Sequence, residues 1–425
     1  MNSLPAPLPL LTAVAAGIAL LVCPDHLVCA SNSGQDWPQF LGPNRNGAYS
    51  GSALASDWPK EGPAKLWEKK TGQGFSGPVV AANRLILFHR INEAETVECL
   101  NATNGQSIWS ANYPSGFRDE IRAEDDGPRS TPLIVGNQVF TFGAEGMLNC
   151  WNFATGEKIW SIDAKSKFGA PNGFFGIACS PLCEGNAVLL NIGGQHGAGI
   201  VAFDRATGNV LWKASGDEAS YSSPMAATIH AKRYAFFLTR KHLCALEPVS
   251  GKMVFEFPWT PQIQASVSAA TPLVIDDLIF ISASYGAGAA LLRFRESGPE
   301  KIWSGDSILS NHYATAVHHN GFLYGFDGRQ EQGCNLRCVE LKTGKVRWSQ
   351  NSFGAGTILL AGEQLLILTE KGQLIRARAT PAEFKPDAQP QILPFMVRAY
   401  PALADGLFYA RSRDKLVCLD LRVGR

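Results

Sequence analysis

The residues equipped for chemistry in this chain are polar side chains that stand beside the starts of apolar runs. Arg129, Asn172, Tyr221, Ser222, His312, Arg398 and Tyr400 each lie just before, or at, a short strand-like segment. Guanidinium, carboxamide, phenol, hydroxyl and imidazole groups gathered in one place would hold a polar ligand. Kept apart, the same groups would satisfy loop backbone and bind water. A second concentration runs from Phe117 to Arg129 and carries Asp119, Glu120, Glu124, Asp125 and Asp126. Clustered carboxylates suit a hard cation such as calcium. The ordered Asp-x-Asp-x-Asp-Gly spacing of a calcium loop is missing, so a solvated acidic face is expected and no metal site is assigned. His318 and His319 are adjacent and would point to opposite faces of a strand, which is no zinc pattern. No serine lies in a nucleophile-elbow sequence, and no catalytic residue is assigned.

Bringing strand starts together requires a repeated frame, and the sequence has one. Ala202 to Trp212 reads as a strand end, a tight turn and a returning strand. Asp204 and Thr207 can bond the turn backbone, and Gly208 can supply the positive φ of a hairpin bulge. The stretch recurs at Cys99 to Trp109, Cys150 to Trp160 and Cys338 to Trp348, with the aromatic ring four residues after the glycine. Gly251 with Phe255 keeps that spacing, and Gly298 with Trp303 is one residue longer. Trp67, Trp109, Trp160, Trp212, Phe255, Trp303 and Trp348 are therefore expected to be structural rings stacked between units.

A proline opens the apolar run ahead of the turn at Pro78, Pro132, Pro181, Pro224, Pro272 and Pro401, and Thr315 and Ile358 fill the slot elsewhere. From Pro272 onward the step is 43 residues. Each unit holds four short strands, as in Leu133 to Ile162, and a period in the forties with four antiparallel strands is a β-propeller blade. The inner strand would have one edge on the channel without a hydrogen-bond partner, where proline is tolerated. The expected fold is all-β, an eight-bladed propeller over residues 64–425. Its last unit stops before a fourth strand, and Lys65-Leu66-Trp67 is expected to supply it and close the ring.

The eleven-residue pattern Ala-x-Asp-x-x-Thr-Gly-x-x-x-Trp, complete at Ala202, Asp204, Thr207, Gly208 and Trp212, resembles the tryptophan-docking motif of quinoprotein alcohol dehydrogenases and their relatives. Asp36 to Gly47 looks like the opening of secreted planctomycete-type proteins with pyrroloquinoline quinone (PQQ)-like repeats. The resemblance implies a propeller from about Ala64 to Leu421. The dehydrogenases in this group hold PQQ beneath a disulfide of adjacent cysteines and bind calcium through Glu, Asn and Asp. This chain has no Cys-Cys pair, and that ligand set finds no matching motif. Other relatives, of the BamB type, are non-catalytic propellers that grip a partner with their loops. The resemblance thus implies a binding scaffold for a protein or saccharide ligand with no cofactor; the alternative is a PQQ- and calcium-dependent sugar or alcohol dehydrogenase.

Composition bounds the rest. The chain has 425 residues, 45% hydrophobic and 18% charged, with a net charge of +1, which gives no electrostatic case for nucleic acid or an anionic membrane. Leu8 to Val22 is an apolar run ahead of the small residues at Cys29-Ala30. It is shorter than the roughly 20 residues of a membrane span. Residues 1–30 are expected to be a secretory signal peptide, 31–63 an N-terminal extension, and the product an exported monomer, periplasmic or extracellular. Cys99, Cys150, Cys338 and Cys418 occupy one small, buried slot of the repeat. Cys179/Cys183 and Cys334/Cys338 are spaced such that a disulfide would need a bend in the chain.

Overall fold

The computed structural model describes Met1 and residues 36–119, 125–171, 173–263 and 266–424. The expected signal peptide lies outside the described residues. Eight antiparallel sheets follow one another along the chain. Blade two shows the plan, with strands Leu133–Val135, Gln138–Phe142, Met147–Asn152 and Lys158–Asp163 running from the channel outward. Its second and third strands are buried along almost their whole length, while the outermost alternates. That is the burial expected of strands packed between two neighbouring sheets. The prolines stand one residue ahead of the inner strands, which begin at Val79, Leu133, Leu182, Met225, Leu273 and Ala402. At a strand start a missing N–H costs no ladder bond.

The repeated tryptophans weld six of the eight blades to the next. The indole N–H of Trp67 donates to the Ala102 carbonyl at 2.9 Å, that of Trp109 to Phe153 at 3.0 Å and that of Trp212 to Pro248 at 3.1 Å. Trp160, Trp303 and Trp348 make the same bond to Arg205, Leu341 and Thr380. The acceptor always belongs to the following blade. There the turn glycine lies under the ring at all but Trp348. Gly251 has φ +71°, and a Cβ on it would come within 2.5 Å of Trp212. Glycine is thus required twice, by the turn and by the ring. Across the sheet, Trp109 faces Cys99, Trp160 faces Cys150, Trp212 faces Ala202, Trp348 faces Cys338 and Trp67 faces Cys418. The slot is small because the indole occupies the neighbouring volume. Phe255 keeps the packing of the slot in blade four, against Phe294, without an indole bond. No disulfide joins the described cysteines.

The ring closes as the incomplete eighth unit requires. Ala64–Lys70 pairs antiparallel with Lys415–Asp420, with Trp67 opposite Cys418. One expectation is corrected. The inner edges are not all unpaired, because residues 37–49 run inside the channel. Trp37 exchanges backbone bonds with Val80, the Pro38 carbonyl accepts from Ile134, and Ala48–Tyr49 lies parallel to Gly356–Ala361 as a fifth strand of blade seven. The segment starts beside Ala82, at the far end of an inner strand, where the Asp36 carboxylate accepts from the Ala82 N–H. It turns back near Phe40–Gly47 and leaves beside Gly406, whose N–H donates to the Tyr49 hydroxyl. Trp37, Leu41 and Tyr49 are buried in one core cluster with residues of blades one, seven and eight.

A candidate ligand site at the channel mouth

The loops that enter the inner strands converge where the N-terminal segment turns. A cavity of about 180 Å³ opens there, with Arg129, Tyr221, His312, Arg398 and Tyr400 in its wall. Five of the seven polar residues singled out from the sequence thus come together. Ser222 does not join them: its side chain is buried and donates to the Ala270 carbonyl at 2.9 Å. Asn172 lies outside the described residues.

Each polar group is held by neighbours that the fold supplies. The Arg129 guanidinium donates to the Asp125 carbonyl at 2.8 Å and pairs with Asp119 at 3.4 Å. Burial lowers its pKa. The Arg398 guanidinium pairs with Glu370 at 2.9 Å, and Glu370 also accepts from the Tyr313 hydroxyl at 3.1 Å. Both guanidiniums lie against the Phe75 ring, with centroid distances of 5.8 and 5.4 Å. The Tyr221 hydroxyl accepts from the Phe175 N–H at 3.2 Å, and burial raises the phenol's pKa. His312 Nε2 lies 3.0 Å from the Tyr285 hydroxyl. The Tyr400 hydroxyl accepts from the Thr315 N–H, and its ring meets Phe40 edge-on at 5.1 Å.

Phe40 is the part of the site that sequence reasoning missed. It stands outside the repeat, so no period points to it. Its only signal is the Asp36 to Gly47 stretch, which resembles an opening segment and carries no mark of a binding role. Behind it sits Arg45, 2% exposed, donating to the carbonyls of Ser180 at 3.1 Å and Pro181 at 2.7 Å. Burial pushes its pKa down to about 10. Phe75, Tyr313 and Glu370 were missed for a similar reason, being loop residues with no motif of their own.

The acidic stretch is not the solvated face that its composition suggests. Asp119 and Asp125 are buried. The Asp125 carboxylate accepts from the N–H groups of Gly74 and Gly127, and that of Asp126 from the N–H of Asp119. These carboxylates fasten the loop that carries Arg129. Glu120 and Glu124 lie outside the described residues. Among the described residues, no three His, Cys, Asp or Glu side chains come together as a cation site, and no helix is long and apolar enough to cross a membrane.

The comparisons agree with this architecture. Residues 93–350 match the family model described as outer membrane protein assembly factor BamB. A search of curated proteins finds no match. Among solved structures, BamB from Moraxella catarrhalis is 13% identical, with 85% of this chain and 98% of that chain covered and a TM-score of 0.63. The quinohemoprotein alcohol dehydrogenase from Comamonas testosteroni is also 13% identical, covering 92% of this chain and 81% of its own, with a TM-score of 0.65. At such identity the likeness is one of fold. The family match spans blades one to six, more than half of the sequence, and the chain belongs to the outer membrane protein assembly factor BamB family of PQQ-like repeat propellers.

Proposed function

We propose that this is an exported, monomeric, non-catalytic propeller that binds a neutral saccharide at the channel mouth. The observation that carries the reading is the composition of the mouth. Its walls are rings, from Phe40, Phe75, Phe175, Tyr221, Tyr313 and Tyr400, and its two arginines already face Asp119 and Glu370. Rings offer flat faces to the C–H side of a sugar, while guanidinium, phenol and imidazole groups offer hydrogen bonds to its hydroxyls. Two cations against two carboxylates leave little net charge to attract an ion. Export is supported by the apolar Leu8 to Val22 run and by membership of a family described as an outer membrane assembly factor.

The dehydrogenase reading asks more of the mouth than its residues offer. Asp119 and Glu370, its carboxylates, are each held by a guanidinium, and the sequence has no adjacent cysteines. These residues do not fit a calcium-held quinone, and no chemical step is derived through one. Calorimetry with neutral oligosaccharides tests the proposal. Binding should weaken at least tenfold in Tyr221→Ala. Absence of saccharide binding, or micromolar quinone binding with substrate-dependent dye reduction, would overturn it; quinone affinity is expected to be millimolar or weaker, about −4 kcal/mol.

A further inference from the structure

The wall of the mouth comes from almost every sector of the ring. Phe75 and Arg129 stand in the loops that lead into blades one and two, Phe175 and Tyr221 in those before blades three and four, and Val267 and Tyr313 in those before blades five and six. Arg398 completes the circle ahead of blade eight. Blade seven backs the remaining sector through Glu370, which holds both Arg398 and Tyr313.

The space so enclosed also has a floor, made by the turn of residues 37–49. That segment meets six of the eight blades. Trp37 bonds Val80 of blade one, Pro38 bonds Ile134 of blade two, and Arg45 donates to the Ser180 and Pro181 carbonyls ahead of blade three. A Cβ on Gly47 would come within 3.0 Å of Val317 in blade six, the Gly47 carbonyl accepts from Leu360 of blade seven, and the Tyr49 hydroxyl accepts from Gly406 of blade eight. The turn is braced from within, since the Gln39 carboxamide donates to the Pro43 carbonyl at 2.9 Å and accepts from Arg45 at 3.1 Å. Phe40, in the same turn, is the residue it offers to the cavity.

The shape of a concave site decides which part of a polymer it can bury. A groove has two open ends, so a chain can lie along it and leave on both sides. A pit with a wall all round and a floor gives a chain one way in, and only an end can enter. We propose that the mouth binds the terminal unit of a neutral glycan end-on, with Phe40 as the floor on which that unit rests, and takes no internal stretch of the chain. The inference rests on the saccharide reading of the mouth and narrows it to chain ends.

The test is calorimetry of the full chain with maltose, maltohexaose, α-cyclodextrin, cellobiose and cellotetraose. Maltohexaose and α-cyclodextrin contain the same number of glucose units, and only the linear sugar has ends. The cyclic sugar should bind about tenfold more weakly than the linear one, or not at all, and each longer linear sugar should bind within about threefold of its disaccharide. Phe40→Ala, which lowers the floor, should weaken the linear sugars about fivefold. The comparison of linear with cyclic sugar uses the unaltered protein, so it does not depend on that variant folding. A cyclodextrin that binds as tightly as maltohexaose, or an affinity that keeps climbing with chain length, would overturn end-on binding while leaving the mouth reading intact. Unchanged binding in Phe40→Ala would do the same. Binding of none of the five sugars would overturn both.

Discussion

The seams between blades and the channel they enclose are built on opposite principles. A seam repeats: an indole from one blade meets a carbonyl of the next, with a glycine turn under the ring at all but Trp348 and a small residue across the sheet at all but Trp303, which faces Leu291. Six of the tryptophans make that bond, each to the following blade. In the channel the inner-strand starts still repeat, with a hydroxyl of one blade accepting from the backbone of the blade before at Thr131, Ser180, Ser223 and Thr315, but the residues that fill and rim it do not. Phe40, Arg45, Phe75 and Tyr313 occur once, and residues 37–49 pair with different blades through different atoms. Repetition serves stability, because the same contact solves the same packing problem at six of the eight junctions. The singular residues are the ones left to define a ligand.

That contrast can be broken in graded steps. The largest effect is expected from deleting residues 1–70. The truncated chain would lose both the closing strand and the channel segment, more than a domain's ~5–15 kcal/mol of stability absorbs. It should elute as aggregate or unfold without a cooperative transition. Trp212→Ala should cost about 3 kcal/mol, the low end for a large ring because the indole is half-buried. Trp259→Ala, outside the repeat, should cost less, within about 1–2 kcal/mol. Equal losses in denaturant titrations would deny the seam its special role. Gly251→Ala presses a methyl group toward the Trp212 ring and strains a positive φ, and should cost about 1–3 kcal/mol. All three should leave ligand binding at the mouth intact.

The closing seam also has a pH signature. His89 is 1% exposed, and burial, with Arg411 and Lys69 nearby, pushes its pKa down to about 3. In the unfolded chain it titrates near 6.5. Between those values the unfolded state binds the extra proton, so stability present above pH 6.5 is lost as pH falls, by up to about 1.4 kcal/mol per unit. His89→Gln should flatten that slope in melting curves from pH 7 to 5. A slope that is unchanged would show that His89 is protonated in the fold. The smallest effect is expected from Tyr221→Ala: a stability change within about 1 kcal/mol beside its large loss of binding.

What the sequence made legible follows the same divide. Trp212 four residues after Gly208, and Pro272 at a fixed step from Thr315, are periodic signals, and from them come the blade count, the seam and the closing strand. Arg129, Tyr221, His312, Arg398 and Tyr400 could be located because each precedes an inner strand, and inner strands meet at one axis. Phe40 could not, because a segment outside the repeat carries no period to say where it lies. Ser222 misled for a local reason: its neighbour Ser223 faces the mouth while its own hydroxyl turns to Ala270. The acidic loop misled because composition counts carboxylates without showing that backbone N–H groups of Gly74 and Gly127 await Asp125.

The closing strand has a consequence in time. Ala64–Lys70 is synthesised before any blade, yet Glu68 meets Lys415, 347 residues further on. At ~5–20 residues per second that partner emerges tens of seconds later. Throughout that interval Ala64–Lys70 is an unsatisfied edge, and the ring stays open until it pairs with blade eight. Its sequence suits the wait. Lys65, Glu68, Lys69 and Lys70 crowd charge onto a short strand, which discourages pairing with another nascent chain. The ring is therefore a clasp fastened last by a strand made ahead of all the other blade strands except Ala48–Tyr49, and a ribosome stalled anywhere in blade eight would leave seven finished blades without a fold to join.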